Sequence, residues 1–355
     1  MAMTPRERVT AAMNKENLDR PPVAIFTQSA TVGQMDALNA PWPDAHKDAN
    51  LMATLAAGTV ELFGFECART GFCLTAEAET LGCEVQVDQK AAAPMIRSHP
   101  FHFDAMSGEY DDLAEKLMPV DEFVKSGRVA QVIKSVELLK SNKVQGVKKW
   151  NSEEYPIVAG NAGVFTLCGN LCDTENIIFG MMMDTDAVDK WTAAVTPYVL
   201  AYTQALIDAG ADVVQCSEPS GSTDMLSPDM FEEAAGNPCR NSIGATKGGL
   251  GNILHICGDT TPILEQMATV AAGISVEEKV ESKVVTDAVG GKTVCVGNVG
   301  SVRPLFQGTL EEVEAGVRKS VDAGFNVISS GCGIAPSTPD MNMQKMVDVV
   351  KSYGQ

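Results

Sequence analysis

The chain has 355 residues, with 27 Lys and Arg against 46 Asp and Glu and a formal charge of −19. That balance opposes binding to nucleic acid or to an anionic bilayer surface, both of which attract clusters of Lys and Arg. Its length supports one large α/β domain over 1–355, and no stretch approaches the ~18 uncharged apolar residues a membrane span needs. Ten irregularly spaced cysteines, after a start Met1-Ala2-Met3-Thr4-Pro5-Arg6 that lacks an apolar signal core, point to reduced thiols and a cytoplasmic setting.

Thr4-Pro5-Arg6-Glu7 has a hydroxyl cap, a proline at the first helical position and a glutamate three residues after the cap, so a first helix opens there and ends before Pro21-Pro22. Short β-rich runs follow at 23–26, 65–68, 157–161, 212–217, 252–257, 274–277, 293–298 and 326–330. Most are continuously apolar rather than alternating, as expected of parallel strands buried on both faces. Helical periodicity lies between several of them. Val188, Trp191, Val195, Val199 and Leu206 share one face of a helix over 186–209, and Thr309-Leu310-Glu311-Glu312 is a second capping box whose helix ends near Gly324. A last helix begins at Thr338-Pro339, with Met343, Met346, Val347 and Val350 at helical spacing.

Eight strand-then-helix units favour a closed (β/α)8 TIM barrel over an open doubly wound sheet, and no dinucleotide-type glycine fingerprint follows the first strand. The first helix is then an N-terminal extension. The stretch 82–146 breaks the pattern with a hairpin pairing 83–87 with 95–97, followed by polar helix, and reads as an insertion between strands two and three.

The chemistry concentrates at two strand ends. His255-Ile256-Cys257-Gly258 closes the fifth run, and Cys332 in Ser329-Ser330-Gly331-Cys332-Gly333 follows the eighth. An imidazole and a thiol two residues apart on an extended chain point the same way, and a third soft donor from a distant strand leaves one tetrahedral position open, as in catalytic zinc sites. The carboxyl ends of barrel strands are also where catalytic groups collect. The 4 His and 10 Cys contain no second close pair of the kind a structural zinc module uses. On spacing alone, the same residues also fit a strand-end histidine and two ordinary buried thiols.

Leu254-His255-Ile256-Cys257-Gly258, Gly273-Ile274-Ser275-Val276-Glu277-Glu278-Lys279, Val296-Gly297-Asn298-Val299 and Gly331-Cys332-Gly333-Ile334-Ala335-Pro336 together resemble the uroporphyrinogen decarboxylase superfamily. More narrowly, the chain resembles the methylcobamide:coenzyme M methyltransferases of methylotrophic methanogens, from its first helix to its last. Phe26-Thr27-Gln28-Ser29-Ala30-Thr31-Val32 and Phe72-Cys73-Leu74-Thr75 are further matches. The resemblance implies Zn2+ held by His255, Cys257 and Cys332, and methyl transfer from a methylcobamide to the thiol of coenzyme M. It also implies a transient partner, the methylated corrinoid protein, since no corrinoid-binding Asp-x-His-x-x-Gly pattern is present. Methanol, a methylamine or a methyl sulfide could feed that partner; no physical argument from the residues chooses among them, and a methylamine is preferred.

The alternatives are a decarboxylase-like lyase, a corrinoid methyltransferase with another acceptor such as a folate, and a protein that binds zinc or a corrinoid partner without turnover. The decarboxylases carry an arginine-rich turn after the first strand and an aspartate ahead of the Leu-Gly pair. Here Gln28 stands in a turn without arginine, and Cys73 takes the place of the aspartate.

For the fourth zinc position the preferred donor is Glu278, with Glu277 as the alternative; both also fit solvated carboxylates at a strand end. Glu218 either bonds a ligand or the second histidine nitrogen, or it orients a loop, and the loop role is preferred. Cys73 and Cys216 read as buried structural thiols. Neither Arg69 nor Arg303 can be assigned to the coenzyme's sulfonate, and backbone NH groups over 331–335 would serve equally well. The corrinoid partner is expected on the face formed by 219–226 and the loop after Ile334.

Overall fold

The computed structural model describes residues 2–354. Seven parallel strands lie side by side in chain order: β1 (Ala68–Arg69), β2 (Ile157–Ala162), β3 (Val213–Ser217), β4 (Ile253–Ile256), β5 (Gly273–Val276), β6 (Val294–Val299) and β7 (Val327–Ser330). Every residue of these seven strands is buried, which accounts for their unbroken apolar runs.

Residues 22–26 supply the eighth position. Val23 bridges Ile328 in parallel, Ala24 N donates to Ile328 O at 3.0 Å, Ile328 N donates to Pro22 O at 2.9 Å, and on the other flank Glu66 N donates to Val23 O at 2.9 Å. The segment therefore sits between β7 and β1 and closes the sheet into the expected (β/α)8 ring. It is shorter as a strand than the run 23–26 suggests, because side chains take over its backbone groups. Phe26 N donates to Ser329 Oγ at 3.2 Å, Phe26 O accepts from Arg69 Nε at 2.9 Å, and Ile25 O accepts from the Cys67 thiol.

Side chains alternate along each strand, so two cores form. Ala24, Phe26, Cys67, Val158, Val213, Ile253, Val294, Val296 and Val327 fill the barrel interior, together with Val9, Ala12 and Met13 of the helix Pro5–Met13. That N-terminal helix plugs the amino end of the barrel. The residues between them, among them Ile157, Val214, Leu254, Ile274 and Ile328, join the helices in a larger outer core.

Both expected capping boxes form, at Thr4 with Glu7 and at Thr309 with Glu312, and the second helix stops at Gly324, whose φ of 92° suits a residue without Cβ. Helix Thr185–Asp208 buries the predicted face, and Asp340–Ser352 buries Met343, Met346, Val347 and Val350. Between β1 and β2, Glu84–Gln86 pairs antiparallel with Met95–Ser98, and a second hairpin joins Phe103–Asp104 to Glu109–Tyr110. Helix Gly127–Lys140, assigned to the insertion by its position within 82–146, instead buries Val129, Val132, Val136 and Leu139 in the outer core as the crossover between β1 and β2.

The ring's closure rests on one carboxylate. Glu66, 2% exposed, accepts from the guanidinium groups of Arg8 and Arg20 and from Val23 N at 2.9 Å. Glu66→Ala strips Arg20 and the Val23 NH of their carboxylate partner and leaves Arg8 paired with Asp19, and we expect a loss of about 3–5 kcal/mol of unfolding free energy in a urea titration.

Candidate active site

Towards the carboxyl ends of the strands the inward rows turn polar: Arg69, Gln215, Ser217, His255, Ser275 and Ser329 succeed the apolar residues below them. His255 on β4 lies in register with Ser217 on one side and Ser275 on the other. Its Nδ1 is 3.0 Å from Ser275 Oγ, which leaves Nε2 as the ring nitrogen able to serve a ligand. Burial, with a smaller contribution from the Arg69 charge, pushes the imidazole pKa down to about 4. The ring is thus neutral near pH 7, the form that can donate to a metal.

Cys257 follows the last residue of β4 on the same inward row. The next residue, Gly258, turns at φ 81°, its NH donates to Glu277 Oε2 at 2.6 Å, and a Cβ there would overlap the Asp224 and Ser222 side chains. Across the mouth Cys332 follows β7 after Gly331, where a Cβ would overlap the Glu278 carboxylate. The Cys257 and Cys332 thiols face each other; their interaction, the largest influence on both, holds Cys257 below the ordinary thiol range and Cys332 well above it. One proton shared between two sulfurs explains the opposite directions.

The two glutamates differ. Glu277 is engaged by the Gly258 NH. Glu278 has a buried Oε2 with no hydrogen-bond partner, and burial, followed by the neighbouring Glu277 charge, raises its pKa. Among the described residues, no three His, Cys, Asp or Glu side chains stand close enough together to hold a metal ion. The donor chemistry nonetheless suits zinc: two soft sulfurs already in contact, a neutral imidazole on the same inward row, and an orphaned carboxylate oxygen beside Gly331.

Glu218 does not reach the histidine ring. Fully buried, it accepts from Phe165 N at 2.9 Å, Thr166 N at 2.6 Å and the Thr166 hydroxyl, and so anchors the start of helix Val164–Cys172 to the end of β3. Burial outweighs these bonds and raises its pKa to about 7. The partner of the second histidine nitrogen is Ser275, a residue the sequence marked only by its place in Gly273-Ile274-Ser275-Val276.

Further polar contacts line the mouth. Gln28 Nε2 donates to Ser217 Oγ at 3.2 Å and Gln215 Nε2 donates to the same oxygen at 3.0 Å. Arg69, 1% exposed, donates to the carbonyls of Phe26, Thr70 and Gly71, and Gly160 leaves room for its guanidinium. Arg303 lies at the surface and pairs with Glu312. The backbone NH groups considered for a sulfonate are partly committed: Gly331 N donates to Val299 O at 2.7 Å and Ile334 N to Gln28 O at 2.8 Å. Cys216 is buried beside Cys239, a core thiol as expected. Cys73 departs from expectation, because it is part-exposed and its sulfur accepts from Arg128.

The family model described as uroporphyrinogen decarboxylase (URO-D) matches residues 4–353. The chain belongs to the uroporphyrinogen decarboxylase family. Within that family's range it is 33% identical over 353 residues to the methylcobamide:CoM methyltransferase MtbA of Methanosarcina acetivorans, covering 99% of this chain and 98% of the relative. It is 30% identical over 355 residues to MtaA of Methanosarcina barkeri, also named a methylcobamide:CoM methyltransferase, at the same coverage. The solved structure of a methyltransferase from Methanosarcina mazei superimposes with a TM-score of 0.88 and 31% identity over 99% of both chains. The barrel expected from the strand count is therefore this family's fold.

The raised pKa of Glu218 has a measurable consequence. An unfolded glutamate releases its proton near 4.5, whereas the folded protein keeps it up to about 7. The folded state binds more protons across that window, so this group's contribution to stability is largest below it and declines as pH rises through it. The difference in unfolding free energy between the wild type and Glu218→Gln should shrink from about pH 5 to about pH 7 in urea titrations; a constant difference contradicts the assignment.

Proposed function

We propose that this chain moves a methyl group from a methylated corrinoid protein to the thiol of coenzyme M in the cytoplasm, with zinc as its resident metal. The observation that carries the reading is the contact between the Cys257 and Cys332 thiols at one barrel mouth, beside a neutral His255. The full-length similarity to proteins named methylcobamide:CoM methyltransferases supports the same chemistry. Among the described residues no helix is long and apolar enough to cross a membrane.

His255, Cys257 and Cys332 would hold the metal, with Glu278 as the fourth donor before substrate enters. Bound Zn2+ supplies the positive charge that lets an alkyl thiol lose its proton near neutral pH while staying nucleophilic. In the transfer, the coenzyme sulfur forms the new S–CH3 bond with its own electron pair, and the pair of the broken cobalt–carbon bond stays on the corrinoid. Ser275 fixes the imidazole, so Nε2 is presented in one orientation. Two thiolates and a neutral ring balance the charge of a divalent ion, so an entering thiol meets no net repulsion. The unpartnered Oε2 of Glu278 is the chain's own acceptor for the proton released beside Cys332.

A polycarboxylate porphyrinogen is a poor fit. Arg69 is locked onto backbone carbonyls, Arg303 faces Glu312, and the turn after residues 22–26 presents Gln28.

Purified wild type is expected to contain about one zinc per chain and to demethylate methylcobalamin only when coenzyme M is present, followed by the corrin absorbance. Cys332→Ala should lose both the metal and the turnover; retained turnover refutes the proposal. Ser275→Ala is expected to weaken zinc about 10-fold or more in a competition with a chromogenic chelator. The corrinoid partner is assigned to the face of 219–226 and the loop after Ile334, where Met225 is 42% exposed. Met225→Ala should raise KM for the corrinoid protein while leaving turnover of free methylcobalamin alone, and an unchanged KM removes that placement.

A further inference from the structure

Cys73 lies outside the zinc donor set, in the loop that follows β1, and is part-exposed. Its sulfur accepts from Arg128 Nη1 at 3.0 Å and from Thr75 Oγ1 at 3.4 Å. The guanidinium, on a residue 6% exposed, is fixed from behind: Nε donates to Glu79, and Nη2 donates to Thr75 O at 3.0 Å and Thr75 Oγ1 at 2.9 Å. The imidazole of His46, 2% exposed, faces the same sulfur, and its buried Nε2 makes no hydrogen bond.

Two donors thus converge on one sulfur, with a buried imidazole beside them. A neutral thiol is a weak acceptor and does not call for them; a thiolate does. Burial alone would keep the proton on, yet Arg128, then His46 and Thr75, bring the pKa down to about 5. The other charged and titratable neighbours are Glu77, whose burial raises it to about 7, and the more distant Arg69 and Tyr202. At three other thiols burial prevails: Cys67 and Cys83 are pushed up to about 12 and Cys295 to about 11.

We propose that Cys73 is a redox-sensitive thiolate, a modification site at which hydroperoxides form a sulfenic acid that small-molecule thiols reverse. The sulfur attacks the terminal oxygen of the hydroperoxide, an S–O bond forms and the O–O bond breaks. Sulfur loses two electrons, and the leaving alkoxide or hydroxide takes a proton from water to become an alcohol or water. A small thiol then displaces water from the sulfenic acid to give a mixed disulfide, and a second thiol restores Cys73 as the small disulfide departs. Oxidation withdraws the negative charge facing Arg128 and so loosens helix Gly127–Lys140 from the loop at 71–75.

The test uses the full-length, metal-loaded chain, alkylated with iodoacetamide over a pH series and read cysteine by cysteine by peptide mass spectrometry. Cys73 should reach half its limiting rate between about pH 5 and about pH 6, about 10-fold or more faster at that pH than in Arg128→Gln. After brief hydrogen peroxide treatment, dimedone should tag Cys73 first, and excess small thiol should prevent the tag. A Cys73 rate that climbs only near pH 9, or dimedone adducts at other cysteines with none at Cys73, overturns the proposal. Should Arg128→Gln fail to fold, the wild-type pH profile and the Thr75→Val variant decide it.

Discussion

Parallel strands become a barrel only if the first one is bonded on both flanks, and here that condition is met by a handful of backbone hydrogen bonds made by residues 22–24 to Ile328 and Glu66. Once the ring closes, each inward row along each strand ends at one shared mouth. The contact between Cys257, after β4, and Cys332, after β7, is a consequence of that geometry. In an open sheet the same two strand ends would lie three strands apart on an edge. The closing segment is held by Glu66 against two arginines, so the integrity of the mouth is linked to an ion-pair cluster at the opposite, amino-terminal side of the seam.

The interior is chemically layered. Apolar side chains fill the lower rows and a polar set caps them, and in that cap ionisable groups are tuned by what surrounds them. Arg69 keeps its charge on carbonyl dipoles and helps to hold His255 neutral, while Glu218 and Glu77, fully enclosed, favour their protonated forms up to about pH 7. A chain with a surplus of acidic residues thus keeps the inner end of its mouth free of unopposed negative charge, apart from the sulfurs and carboxylates suited to a cation.

Much of this is legible in the amino-acid sequence. Capping boxes are local in sequence, so both were readable at Thr4 and Thr309; continuous apolar runs mark buried parallel strands, so all eight barrel positions were found. The two cysteines that meet were visible because the period of a strand and the position of its end place them. Other features depend on partners distant in sequence. Ser275 is twenty residues from His255, Arg128 is 55 residues from Cys73, and neither pairing has a local signature. The choice between Glu277 and Glu278 required knowing that one carboxylate is taken by the Gly258 NH. Helix Gly127–Lys140 was hidden because its polar face dominates the composition of a stretch already interrupted by hairpins.

The plug formed by Val9, Ala12 and Met13 makes the barrel a vessel with a single opening. Whatever reaches the polar layer at the carboxyl ends of the strands must enter and leave on that one side. The direction of that traffic needs no moving lid, since a helix at the far end of the molecule already imposes it.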